Sequence, residues 1–213
     1  MKLSLLFVGL ILSAKAFAGS VVDTLVFGSA VSERAHALEG KRMETITGLL
    51  GEPARRLLPP ESPDWLGGSL TFTVKVSPDA PDYLTVRFSG DDAAESRLVL
   101  LVDGQMIGYL HLGDIPLLEP GESEPESPGR FIYRTTPLPE SLTKGHTEIH
   151  CEIRSTGPIW GYGSTFDRFQ KPMSEPARGL YRAYTHTDPC FVPPAAEKQG
   201  AAPDDRVRTT PGP

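Results

Sequence analysis

The sequence predicts an all-β fold, an antiparallel β-sandwich of jelly-roll type closed by a long irregular C-terminal wrap. Three observations carry that expectation. Several segments alternate apolar and polar residues with the period of two of half-buried strands. Glycine and proline, 21 of each in 213 residues, punctuate the chain at short intervals. No segment has the length and 3.6-residue periodicity of the helices that parallel crossovers require.

Taken in order, residues 1–18 read as an export signal. Lys2 supplies the positive start, Leu3 to Leu12 an apolar run, and Ala16-Phe17-Ala18 a small-x-small cleavage site. The run is shorter than the ~20 apolar residues a spanning helix needs, and no later stretch substitutes for it. The expected product is secreted or periplasmic, with no membrane attachment after cleavage. Residues 19–194 are expected to form one β-sandwich domain.

"SERAHAL", Ser32 to Leu38, is the one helix signal, with Ser32 as N-cap. "SLTFTVKV" sends Leu70, Phe72, Val74 and Val76 to one face. "YLTVRFS" does the same with Leu84, Val86 and Phe88, and "TEIHCEIRS" with Ile149, Cys151 and Ile153, while His150, Glu152 and Arg154 point outward. "RFIYRT", residues 130 to 135, is a shorter strand. In "RLVLLVDGQMIGYLHL" the pair Asp103-Gly104 suits the positive φ of a type I′ hairpin turn. A two-residue loop there sets Leu100 opposite Ile107 and Leu98 opposite Tyr109. Both faces of that hairpin then read as apolar, which places it under another layer. "LEPGESEPESPG", which carries the acidic loop at 119–129, is too polar to bury itself and reads as mobile. Residues 195–213 read as a disordered tail.

Composition also bounds function. The formal net charge is −6, from 21 basic and 27 acidic residues, and no stretch concentrates the basic ones, so nucleic acid is an unsuitable partner. Nucleophile-elbow, zinc-helix, phosphate-loop and dinucleotide motifs are absent, no cofactor is implied, and the five histidines have no metal-ligand spacing. Asp91 and Asp92 in "SGDD" could supply hard oxygen ligands but read as a polar turn. Cys151 and Cys190 are candidates for a disulfide, with a buried free thiol at Cys151 as the alternative.

The densest chemistry lies between Gly157 and Asp188. Trp160, Tyr162, Tyr181 and Tyr184 alternate there with Arg178, His186 and Asp188. Aromatic faces stack on the C–H faces of sugars, and Arg and Asp bind hydroxyls, so these seven residues are the candidate ligand-binding set. The alternative is that the same aromatics anchor the wrap to the sandwich or to a docked domain. Asp188 with His186 also admits a small glycoside hydrolase or lyase, which would need two carboxylates across a sugar.

"SERAHAL", "YLTVRFSGDD" and "LVLLVDGQMIG", in this order, resemble the accessory β-sandwich modules of large secreted (α/α)-barrel glycoside hydrolases, including those of the β-L-arabinofuranosidase type. The resemblance spans Asp23 to Val192. Where such modules often carry a tryptophan after the "VRF" strand, this chain has Ser89. The resemblance implies a non-catalytic module that binds carbohydrate or docks a catalytic partner protein, with "RGLYRAYTHTDP" as the docking junction. It transfers no catalytic residue, and a structural remnant of a larger enzyme is the remaining alternative.

Overall fold

The computed structural model describes residues 21–91, 97–110, 129–157 and 172–200. Residues 1–18, expected to be an export signal, residues 201–213, the acidic stretch from 119 to 128, Asp92, His111, Trp160 and Tyr162 lie outside them. The described chain forms two antiparallel sheets face to face, as the alternating segments predict. Eleven strands run in the order β1 (Val21–Val26), β2 (Glu39–Lys41), β3 (Met43–Thr47), β4 (Pro53–Leu57), β5 (Leu66–Lys75), β6 (Tyr83–Ser89), β7 (Arg97–Val102), β8 (Gln105–Leu110), β9 (Phe131–Pro137), β10 (Glu148–Thr156) and β11 (Leu180–His186). A six-stranded sheet has the order β3-β4-β11-β6-β9, with β1 also paired to β11, and a five-stranded sheet has the order β2-β5-β10-β7-β8.

The inward residues of the alternating segments meet in one core. Leu84, Val86, Phe88, Leu180 and Ala183 from the six-stranded sheet face Leu70, Phe72, Val74, Leu100, Ile149, Cys151 and Ile153 from the other. Removing each large side chain of this kind from water contributes about 1.5–3 kcal/mol. Phe27 meets Phe72 edge to face, with ring centroids 5.8 Å apart, a geometry the aromatic quadrupole favours.

Three local expectations change. Helix α1 runs Ala30–Ala35 with Ser29 at the N-cap, one turn earlier than "SERAHAL" suggests. Ser32 is withdrawn from capping because its hydroxyl accepts the Val26 N–H at 2.9 Å. A second, single-turn helix α2 occupies Glu140–Thr143.

The Asp103-Gly104 hairpin forms between β7 and β8, but a bulge shifts its register. Leu100 pairs with Gly108 and Leu101 with Met106, so Ile107 is the extra residue. Leu98 therefore meets Leu110, and Tyr109 meets Val99 on the outer side. The hairpin is the edge of its sheet, not its covered middle, and Met106 and Tyr109 are exposed.

The largest correction concerns "RGLYRAYTHTDP". Within the all-β fold, Leu180–His186 is not part of an irregular wrap but the strand that joins the six-stranded sheet together, paired with β1, β4 and β6. Its alternation was concealed because a bulge between Leu180 and Arg182 interrupts the period of two. Irregular chain flanks this strand on both sides, at 172–179 before it and again after it. The later segment comprises residues 188–200, crosses the outer face of the six-stranded sheet and includes residues 195–200 of the expected tail. Cys151 and Cys190 are both free, the first buried in β10 and the second exposed in the covering segment, so the candidate disulfide is not formed.

Candidate functional site

Two surfaces gather chemistry, one on the outer face of each sheet. On the six-stranded sheet, a bulge in β11 between Leu180 and Arg182 lets Leu180 and Ala183 enter the core while the polar side chains stand on the opposite face. Tyr181 packs edge to face on Phe131 at 5.1 Å, and its hydroxyl accepts the Leu49 N–H at 2.9 Å. Tyr184 donates its hydroxyl proton to Glu197 Oε1, and Tyr133 donates to Glu197 Oε2 at 2.9 Å. Arg182 Nη1 lies 2.8 Å from Glu197 Oε1, and Arg87 Nη1 donates to Glu52 Oε2 at 2.6 Å. The Arg87 guanidinium also stacks over the Phe131 ring at 3.4 Å.

Two arginines and two glutamates thus neutralise each other beneath the covering segment, and Arg87 is 0% exposed. Burial, reinforced by the Glu197 charge, pushes the Tyr133 hydroxyl up to about 12. Burial and the hydrogen bond to Glu197 raise that of Tyr184 as well. His186 stacks on Tyr83 at 5.7 Å, and its Nε2 meets the Thr85 hydroxyl at 2.7 Å. Its Nδ1 lies 2.7 Å from the Asp188 carbonyl, and burial lowers its pKa. Asp188 caps a turn, its Oδ1 accepting the Cys190 N–H at 2.9 Å.

The structure therefore brings Tyr184 and His186 together and holds Tyr181 on the same face, all three buried. Rings closed in this way present no free face to a sugar. Asp188 and His186 interact through backbone and turn, which is not the opposed-carboxylate geometry of glycoside hydrolysis. Among the described residues, no group of three or more His, Cys, Asp and Glu is placed to hold a metal ion.

The second surface lies on the five-stranded sheet. Its outer row runs Tyr109, Val99, Arg154 and Ser69 across β8, β7, β10 and β5, and the adjacent row runs Met106, Leu101, Glu152 and Thr71. Tyr109 is 44% exposed. Arg154 donates from Nε and Nη2 to one Glu152 oxygen, at 3.0 and 2.8 Å, which fixes the guanidinium. His150 Nδ1 pairs with the Thr73 hydroxyl at 3.0 Å one row further on. Burial lowers the pKa of Arg97, and both Tyr109 and Arg178 are close enough for their charges to act on it. Arg178 is thereby placed at this end of the molecule, apart from Tyr184 and His186.

Trp65, 40% exposed, stands at the same end, just before β5. Its carbonyl accepts the Gly157 N–H at 2.6 Å, and Asp64 bridges to Met173. The chain leaves and re-enters beside Asp64 and Trp65, and Trp160 and Tyr162 fall between those points, outside the described residues. Sequence reasoning missed Tyr109, which the unbulged register assigns to the interior, and Trp65, which sits alone in a Pro-rich turn. Glu52, Arg87 and Glu197 carried no sequence signal at all, since each is a single charged residue in an ordinary context.

No protein-family model and no curated protein matches the chain. Among solved structures, a family 35 carbohydrate-binding module from Clostridium thermocellum is similar at TM-score 0.39 and 12% identity, over 76% of this chain and 97% of that one. The C-terminal family 6 carbohydrate-binding module of a marine laminarinase from Zobellia galactanivorans is similar at TM-score 0.41 and 10% identity, over 77% of this chain and 99% of that one. An exo-β-1,3-galactanase from Phanerochaete chrysosporium aligns at TM-score 0.42 and 13% identity, over 76% of this chain but 28% of the galactanase. At these values the likenesses assign no ligand to this chain.

Proposed function

We propose that the protein is an exported, non-catalytic β-sandwich that binds carbohydrate on the outer face of its five-stranded sheet and at the adjoining end. The supporting observation is the exposed ring of Tyr109 in one row with Arg154, which Glu152 holds in place, with Arg97 within electrostatic reach. A flat sheet offers a rigid base, an aromatic ring stacks on a pyranose, and fixed arginine and carboxylate groups take hydroxyls. Trp65 extends the platform, and Trp160 and Tyr162, outside the described residues, remain candidate stacking residues by sequence.

The test is affinity electrophoresis through gels containing a panel of polysaccharides. The expected result is retardation by at least one glycan, reduced about tenfold in affinity by Tyr109→Ala or Trp65→Ala, equivalent to ~1.4 kcal/mol, and preserved in Tyr109→Phe. A wild-type chain that migrates freely through every gel overturns the reading. A second reading, docking of a catalytic partner protein, is favoured by the exposed Met106 beside Tyr109 and Leu101. In that case Met106→Glu abolishes co-purification with the partner while leaving glycan migration unchanged.

A further inference from the structure

Apolar packing alone does not explain how the segment 188–200 docks. A chain segment that covers a sheet for stability buries its apolar residues and leaves its charges in water. Here Phe191 is half-buried, but Val192 is 78% exposed, Ala195 and Ala196 are exposed, and the most buried residue is the charged Glu197, 7% exposed. Its carboxylate is received by groups from three strands: Arg87 of β6, Arg182 and Tyr184 of β11, and Tyr133 of β9. Phe191, six residues earlier, fits a slot of three rings, 4.9 Å from Tyr184 and from His186 and 5.5 Å from Tyr133. The backbone is held as well, for Arg87 Nη2 donates to the Lys198 carbonyl and the Phe131 N–H to the Gln199 carbonyl at 3.3 Å.

A carboxylate clamp, an aromatic slot and main-chain donors are the elements by which protein surfaces read extended peptides. Nor does the resident segment exhaust the site. Among the described residues, the Nε atoms of Arg87 and Arg182 are buried without a hydrogen-bond partner; Arg87 Nε is 3.3 Å from Glu197 Oε1 but poorly aligned with it. Unmet buried donors are costly, so a ligand with one more acceptor gains where Glu197 does not. When the segment lifts away, Arg87 and Arg182 face Glu52 alone, and the excess positive charge favours an acidic guest.

We infer that the outer face of the six-stranded sheet is a peptide-binding groove that residues 188–200 occupy in cis. Its ligand in trans is an extended acidic peptide of a partner protein, with an aromatic side chain six residues before a glutamate. This groove is on the opposite side of the molecule from the proposed glycan surface and does not depend on it. Because the resident segment competes, apparent affinity for the peptide scales with the fraction of molecules in which the groove is open.

The probe is a fluorescein-labelled synthetic peptide with the sequence of residues 188–200 and serine at position 190, titrated with the full-length protein. Fluorescence anisotropy is expected to show about tenfold tighter binding to the Glu197→Gln protein than to wild type. Phe191→Ala in the protein should act likewise, and a peptide bearing Glu197→Gln should lose binding. Absence of binding to both variants, with far-UV circular dichroism showing each of them folded, overturns the proposal. So does a concentration-dependent wild-type dimer in sedimentation, which would make the occupant a second copy of this chain.

Discussion

His186 shows most directly how burial turns a side chain into a condition on folding. Its two ring nitrogens meet the Thr85 hydroxyl and the Asp188 carbonyl, so the neutral ring donates from Nδ1 and accepts at Nε2. A second proton would remove the acceptor that Thr85 uses. Burial lowers the folded-state pKa, while the unfolded chain retains a value near ~6.5. Between those two values the unfolded state binds more protons. Stability is therefore complete above pH ~6.5 and lost as pH falls through the folded value. Urea midpoints measured from pH 7.5 to 5 are expected to decline for the wild type and to decline less for His186→Gln. Parallel lines for the two proteins would remove His186 as the cause. Burial pushes the Asp23 carboxyl up, but hydrogen bonds from Lys75, Thr24 and His36 together hold its pKa below the ordinary value, so it acts only below about pH 4. Burial raises the pKa of Asp82, which is why the comparison with His186→Gln, rather than the wild-type slope alone, isolates the histidine.

Strand by strand, what could be read in advance depended on whether polar outward residues alternate without interruption with apolar inward ones. The inner rows of β5, β6 and β10 were legible because their outer neighbours in the chain are polar, leaving the period of two visible. In β11 a bulge between Leu180 and Arg182 breaks the inner row, and the outward residues are Arg182, Tyr184 and His186, which composition alone assigns to a binding loop. The β8 register failed for a different reason. Asp103-Gly104 fixes the turn but not the bulge at Ile107, which arises where Leu110 is drawn to the core opposite Leu98. The turn itself is tightly specified, with φ +46° at Asp103 and +78° at Gly104. A Cβ at Gly104 meets no atom within 4 Å, so Gly104→Ala isolates the backbone cost, about 1–2 kcal/mol for a left-handed residue. Urea denaturation should show that loss, and Gly104→Asn should recover part of it, since asparagine tolerates this region. Equal midpoints for wild type and Gly104→Ala would mean that the hairpin is not held in this geometry.

The layering of the sandwich decides the fate of the two thiols. Cys151 points from β10 into the core between the sheets, whereas Cys190 lies in the segment that crosses the far side of the six-stranded sheet. An entire sheet stands between them, and packed sheets are spaced about 10 Å apart, beyond the ~4.4–6.8 Å between Cα atoms that a disulfide spans. Two cysteines in a chain read as exported invite the expectation of a bridge, but pairing in space is set by the order of strands, which two positions in a sequence do not encode. Burial also pushes the Cys151 thiol far above its ordinary range, so it supplies no thiolate near neutral pH. A maleimide reagent at pH 7 should therefore label one site in the native protein, mapped by peptide mass to Cys190. It should label two in denaturant without prior reduction. Since Cys151 becomes reachable only when the two sheets part, its labelling rate also measures the opening of the sandwich. Failure of both thiols to react in denaturant before reduction would mean that they are joined, and with that the placement of β10 and the covering segment on opposite sides of a sheet would fall.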